Sequence, residues 1–362
     1  MNWYKVAEEA AVAVTHAEFG AMTWEEKRVL AQNTSISSQT QLMFFTQGYA
    51  GKEDALQKLA KNESIAPETQ RLFFIRTNDS TAMGNHLILV FLAENRGITP
   101  ETQRLFFTKG RSVLEHLAQN RSIHPLTQRL FFTEQYNRKG NVLQRLARNS
   151  SITPLTQRLF FTQNYANKGG VLWFLSENES ITPEVQRLFF TQSKVMHFAF
   201  ERLAVNTSVA PEVQPLFFTE KYNDKSSALQ RLAANTSVAP EVQPLFFTEE
   251  YEGKDVVLWS LARNESLTPE VQPLFFAEKY SGKYQVLCEL AWNPSIHPEV
   301  QPLFFTQKYD NKDEVLRALA SNPSFLRGNF TREQLLQIKN AARGTVRLKV
   351  LKKRLEQIIG VP

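Results

Sequence analysis

The sequence predicts an all-α protein: a right-handed α-solenoid of about ten 29-residue helical hairpins, closed at both ends by capping helices. Three observations predict it. The fifteen-letter string NTSVAPEVQPLFFTE runs from Asn206 to Glu220 and again, unchanged, from Asn235 to Glu249. Asparagines ahead of a Ser/Thr-rich turn recur at Asn33, Asn62, Asn95, Asn120, Asn149, Asn178, Asn206, Asn235, Asn264, Asn293 and Asn322, most of them 29 residues apart. The steps of 33 and 25 around Asn95 sum to two periods, so only one boundary has shifted. Finally, every copy shows apolar residues at helical spacing twice, separated by a polar turn.

The chain divides into an N-terminal cap (1–32), ten repeats (33–321) and a basic C-terminal pair of helices (322–362). In the cap, Thr23 and Glu26 have the spacing of a capping box. The repeat consensus opens on Ser or Thr before Pro-Glu. The hydroxyl caps a helix, Pro takes the first turn, where its missing N–H costs nothing, and Glu favours the positive helix end. Val, Leu and Phe follow at i, i+3 and i+4. The second Phe and the Tyr add an adjoining apolar face, so this helix expects cover on two sides. The second helix carries V-L-x-x-L-A and stops at the asparagine, read as a left-handed C-terminal residue. At the far end Thr331 and Gln334 are spaced to cap one helix, and Gly344 separates it from the next.

One feature of the first helix changes along the chain. The residue after the repeated Gln is Arg in five copies (Arg71, Arg104, Arg129, Arg158, Arg187) and Pro in the last four (Pro215, Pro244, Pro273, Pro302). A Glu three residues before Arg71, Arg104 and Arg187 suggests a local ion pair. Proline inside a helix costs about 3 kcal/mol. The A-P-E-V-Q stretch is therefore predicted to be a loose or 3₁₀ turn, with regular helix starting near Pro215 and Pro244.

The strings LAWNPSIHPEVQPLF (Leu290–Phe304) and LASNPS (Leu319–Ser324) resemble the L-A-x-N-P-x-x-P pattern of bacterial variant leucine-rich repeats, a helical solenoid family akin to HEAT and armadillo arrays. The resemblance covers the ten repeats. It implies architecture, with protein binding as the commonest role of such arrays and DNA binding or repair as a rarer one. The 29-residue period is longer than that family's, and Pro follows Asn only at Pro294 and Pro323.

Composition narrows the function. With one cysteine among 362 residues, Cys288, no internal disulfide or cysteine metal cluster can form, which points to a reducing cytoplasm. The N-terminus lacks a basic start and a cleavage pattern, and no apolar run approaches the roughly 20 residues of a membrane span, so no membrane is expected. From Arg327 onward nine basic residues face two acidic ones, so the charge of +6 belongs to the C-terminus and the array is near neutral. There is no phosphate loop, nucleophile elbow or His/Cys metal spacing, so neither an enzyme, a metal nor a cofactor is expected. His124 and His297 occupy the capping slot and read as turn residues. Eight of the boundary asparagines open Asn-x-Ser triplets without Pro, read as helix stop and start.

Three repeated features are candidates for function. The repeated Gln (Gln41, Gln70, Gln103, Gln128, Gln157, Gln186, Gln214, Gln243, Gln272 and Gln301) forms either an amide ladder between repeats, the favoured reading, or the wall of a peptide groove. The turn lysines (Lys52, Lys139, Lys168, Lys225, Lys254, Lys283, Lys312) form a ridge diluted by acidic neighbours. The two slots between V-L and L-A vary most, and with the last helical residue they place Trp173, Phe174, Arg202, Arg231, Trp259, Arg263 and Trp292 opposite the core. Trp and Arg are the residues most enriched at binding hot spots. The expectation is a scaffold or inhibitor that holds a protein partner along this face, with the three tryptophans exposed as anchors. The alternative partner is a nucleic acid, bound by the Lys ridge and by Arg347, Lys349, Lys352, Lys353 and Arg354 of the last helix. A third class, a DNA-acting enzyme, rests on Asp255 near Trp259.

Overall fold

The computed structural model describes residues 12–78, 83–191, 197–277, 279–322 and 331–341. Among these residues there are 23 α-helices and no strand. They alternate as first and second helices of successive repeats, and the second helices pack most closely on one another. The chain forms two compact units, residues 1–181 and 182–362.

In the first unit, Thr15–Glu18 and Thr23–Glu26 both close capping boxes on the two N-terminal helices, His16–Ala21 and Trp24–Gln32. The first of these helices supplies Phe19, which stands edge-on to Phe44 at 4.9 Å and so covers the open end of the stack. First helices such as Pro125–Thr133 and Pro154–Thr162 begin where the sequence placed them. Pro takes the first turn, and the side chains of His124 and Thr153 accept from a backbone N–H.

In the second unit the same segment is different. Regular helix occupies only Leu216–Thr219, Leu245–Thr248, Leu274–Ala277 and Leu303–Thr306. Ahead of it and into its first turn most bonds close three residues back, as in Val213 N to Ala210 O (2.9 Å), Leu216 N to Val213 O (3.0 Å) and Phe217 N to Gln214 O (3.1 Å), beside one longer four-residue bond from Gln214 N to Ala210 O (3.3 Å). Pro215 sits at φ −60°, ψ −25°. The ring takes a helical conformation, but it has no N–H to give, so the turn tightens to 3₁₀ spacing. The predicted loose turn before Pro215 and Pro244 is present.

Two ring and amide ladders hold neighbouring repeats together within each unit. The second Phe of one copy stands edge-on to the first Phe of the next: Phe45 on Phe73 and Phe276 on Phe304 at 4.8 Å, Phe132 on Phe160 and Phe218 on Phe246 at 4.9 Å. Such pairs add about 0.5–1.5 kcal/mol beyond the area they bury. The Gln ladder is structural. Gln128 Nε2 donates to Ile123 O of its own copy (3.1 Å) and to Ser151 O of the next (3.1 Å), while its Oε1 accepts from Thr153 N (3.0 Å). Gln243 does the same with Ser266 O (3.0 Å) and Thr268 N (2.9 Å). These amides are about 1% exposed, so they line no groove.

The boundary asparagine departs from expectation. Asn120, Asn235 and Asn293 are extended (φ −66°, −74° and −61°), not left-handed. Their side chains explain why the residue repeats. Asn149 Nδ2 donates to Ala118 O and Asn120 O of the preceding copy, both at 2.9 Å, and Asn235 reaches Ala204 O (2.8 Å) and Asn206 O (3.2 Å). The Oδ1 then accepts the N–H two residues on, as in Ser151 N to Asn149 Oδ1 at 2.9 Å. Every hydrogen-bonding group of a buried amide is thus used, which is the condition for burying it without loss. Positive φ falls instead just before the second helix, at Gly51, Arg138, Asn167, Asp224, Gly253, Gly282 and Asn311. Gly97 stands where other copies have Ser because a Cβ there would meet Glu63 O at 1.9 Å.

Thr331 and Gln334 cap the helix Arg332–Ala341 as expected, with Gln334 N to Thr331 Oγ1 at 3.2 Å and Thr331 N to Gln334 Oε1 at 2.8 Å.

Candidate functional site

The second helices bury their V-L and L-A pairs completely, and this fixes where the residues between them point. Val257, Leu258, Leu261 and Ala262 are buried on the helix Lys254–Ala262, leaving Trp259 and Arg263 toward the outer edge. In this unit Arg231, Trp259 and Arg263 are brought together. With Gln230, Ala234, Ser260 and Asn264 they line one hollow of about 350 Å³. The Arg263 guanidinium lies 4.6 Å from the Trp259 ring and 3.8 Å from the Glu289 carboxylate of the following copy. Arg231 reaches Glu201 of the preceding copy at 3.8 Å. Both arginines remain more than half exposed, so these pairs orient the side chains without removing them from solvent. Trp292, the last residue of the next second helix, is 58% exposed. Arg202 is exposed and lies outside the walls of the hollow.

The first unit holds its own aromatic pair. Trp173 and Phe174 meet edge-on at 4.4 Å, and the Arg148 guanidinium covers Phe174 at 3.8 Å. Arg148 also faces Glu177 at 3.7 Å.

Two expectations about this face need correction. Trp173 and Trp259 are half-buried, because neighbouring aromatic and Arg side chains cover part of each ring; of the three tryptophans only Trp292 is largely exposed. Nor do all variable slots face outward. Val90, Ser260 and Ala318 are buried, the first in the leading slot of its copy and the other two in the trailing slot.

The lysine ridge does not present free ammonium groups. Lys52 Nζ donates to Phe45 O (2.6 Å) and Gln47 O (2.7 Å), the open carbonyls at the end of the first helix. Lys139, Lys168, Lys225, Lys254, Lys283 and Lys312 donate to the equivalent Phe carbonyl. The tyrosine three residues earlier donates to the carbonyl of the first Phe, as Tyr165 does to Phe160 O at 2.7 Å. Partial burial pulls the ammonium groups of Lys52, Lys139, Lys225 and Lys312 below the ordinary lysine range. These residues cap helix ends. The basic residues Arg347, Lys349, Lys352, Lys353 and Arg354 lie outside the described residues.

The remaining chemistry is sparse. His124 and His297 accept backbone N–H groups through Nδ1, the role of turn residues. Cys288 is half-buried; its surroundings, together with Glu314 and Glu289, push the thiol up to about 11, so it stays protonated at neutral pH. Asp255 is not among the residues lining the hollow beside Trp259. Among the described residues no three His, Cys, Asp or Glu gather as around a metal ion, and no helix is long and apolar enough to cross a membrane.

No protein-family model, curated protein or solved structure matches this chain. The variant-repeat resemblance therefore rests on Leu290–Phe304 and Leu319–Ser324 alone.

Proposed function

We propose that the chain is a non-enzymatic binding scaffold or inhibitor that holds a protein partner along the second-helix edge, acting in the cytoplasm, where its single thiol stays reduced. One observation carries this reading: Arg231, Trp259 and Arg263 converge on a single hollow, with exposed Trp292 on the next copy. Aromatic rings oriented by Arg and left partly open are the residues that dominate protein interfaces. The periodic polar side chains are spent on packing, so the variable ones are what remains to meet a partner.

Affinity capture from host extract, comparing the full chain with Trp259→Ala/Arg263→Ala and with Trp292→Ala, tests it. The reading expects a defined protein set to be lost with both variants while capture by wild type resists added salt. A partner set unchanged in both variants, or capture of nucleic acid that vanishes steeply with salt, would contradict it.

A further inference from the structure

The first-helix faces of the two units carry opposite charge, on Arg at the slot after Gln in the first unit and on Glu three residues before that slot in the second. In the first unit Arg71, Arg104, Arg129 and Arg158 are exposed, one per copy, and none makes an ion pair with a described residue. Glu accompanies only the first two; in the next two copies its place is taken by Leu126 and Leu155, which are 46% and 54% exposed. A groove of about 580 Å³ runs beside them, lined by Arg104, Phe107, Leu126 and Arg129 among others. This face is basic and apolar together. In the second unit Pro replaces Arg from Pro215 on, and the Glu is kept in every copy: Glu212, Glu241, Glu270 and Glu299, all exposed. Arg187 approaches Glu212 at 3.9 Å and His297 approaches Glu299 at 4.0 Å; Glu241 and Glu270 have no described cation beside them.

Within each unit the charges advance by one repeat at a time, at the roughly 8–10 Å spacing of packed helices. An arginine row of one molecule and a glutamate row of another therefore match rung for rung. A nucleic acid would meet the arginine row without using Leu126 and Leu155, and would leave the glutamate row unexplained. We propose that the basic first-helix face of one chain docks on the acidic first-helix face of a second copy. Leu126 and Leu155 would be covered in the process, and the Arg–Glu rows set the register.

Sedimentation velocity of the full chain at up to about 100 µM, a range that registers weak interfaces, tests this. Self-association is expected at about 50 mM salt and should weaken at least about tenfold near 300 mM, where the screening length is far shorter. Arg129→Glu/Arg158→Glu leaves two acidic faces, and Glu241→Arg/Glu270→Arg leaves two basic ones. Each variant alone should sediment as a monomer, and an equimolar mixture of the two should associate again. All four positions are exposed, and circular dichroism verifies folding. A wild-type chain that is monomeric at low salt would overturn the proposal. So would a reversed variant that self-associates like wild type, or a mixture that stays monomeric, or a monomer that takes up a polyglutamate or RNA probe on the arginine row.

Discussion

The copies around Arg129 and Arg158 and those around Pro215 and Pro244 differ at several slots of the first helix, but the exchange of Arg for Pro after Gln is the one that goes with a different build: 182–186 and 268–272 both read T-P-E-V-Q, and only the copy with Arg187 carries the long helix. With Arg, the helix runs nine residues from a capped Pro. With Pro, four residues of regular helix follow a 3₁₀ turn. The Gln and Asn ladders are nevertheless the same on both sides, as Gln128 and Gln243, or Asn149 and Asn235, show. The stack is therefore held by what recurs, and the helix that carries it tolerates either backbone. The chain is free to change its outer chemistry copy by copy without reopening its core.

The largest effect should come from the ladder that the two regions share. Asn149→Ala and Asn235→Ala each remove two buried amide N–H donors to the preceding copy and the acceptor of the backbone N–H two residues on, a loss of about 2–4 kcal/mol. Urea unfolding should show similar losses for both. A large loss in one unit and a small one in the other would break the equivalence.

The next effect separates the two regions. Arg158→Pro imports the second unit's residue into a nine-residue helix of the first. Because four copies already accommodate Pro at this slot, it should cost about 1 kcal/mol, while Leu159→Pro, one residue on, should cost the roughly 3 kcal/mol of an ordinary mid-helix proline. Equal losses would mean that the slot is not special.

Smaller still is the helix-end cap. Lys225→Met removes a donor from the Phe218 carbonyl and should cost about 1 kcal/mol, as should Lys139→Met in the other unit. A neutral result in both would return these lysines to the role of a solvated ridge.

At neutral pH the smallest effect is that of the buried phenols. Burial holds Tyr136, Tyr165, Tyr222, Tyr251 and Tyr309 above the ordinary value of 10.0 in the folded chain. The unfolded chain then loses its phenolic protons first, so the stability they give is complete below about pH 10 and is lost as pH rises further. The lysines act with opposite sign: their lowered value costs stability below it, and the cost fades toward pH 10.5. Phenolate absorbance isolates the tyrosines. The part of it that is missing from a variant with these five tyrosines changed to Phe should appear only together with loss of helical circular dichroism; that part appearing in the folded protein would contradict their burial.

Much of this was legible in the sequence because repetition amplifies weak signals. One Pro after Gln would have been ambiguous, whereas four specified a tightened turn that the bonds at Val213 and Leu216 bear out. The Thr23, Thr331 and Pro125 helix starts follow from local capping chemistry, which needs no tertiary information. The Asn and Lys roles were not legible for the same physical reason. Asn149 acts on carbonyls 29 and 31 residues away, and Lys139 folds back seven residues, so propensity assigned each to its nearest local habit. An identical polar residue in every copy can reach the backbone of the neighbouring copy, and this holds for Asn as it does for Gln. Which tryptophan remains open was also hidden: Trp259 is partly covered by Arg263 of its own helix, and sequence spacing does not report that stacking.

The central claim is that what recurs holds the stack and what varies faces outward. It is tested most directly by the urea unfolding free energy of the triple variant Trp259→Ala/Arg263→Ala/Trp292→Ala, measured beside Asn235→Ala. The account predicts that three substitutions on the open edge together cost about 1 kcal/mol, while the single ladder substitution costs about 2–4 kcal/mol. A triple variant that loses as much as Asn235→Ala would show that these side chains are packing residues, and would contradict the account.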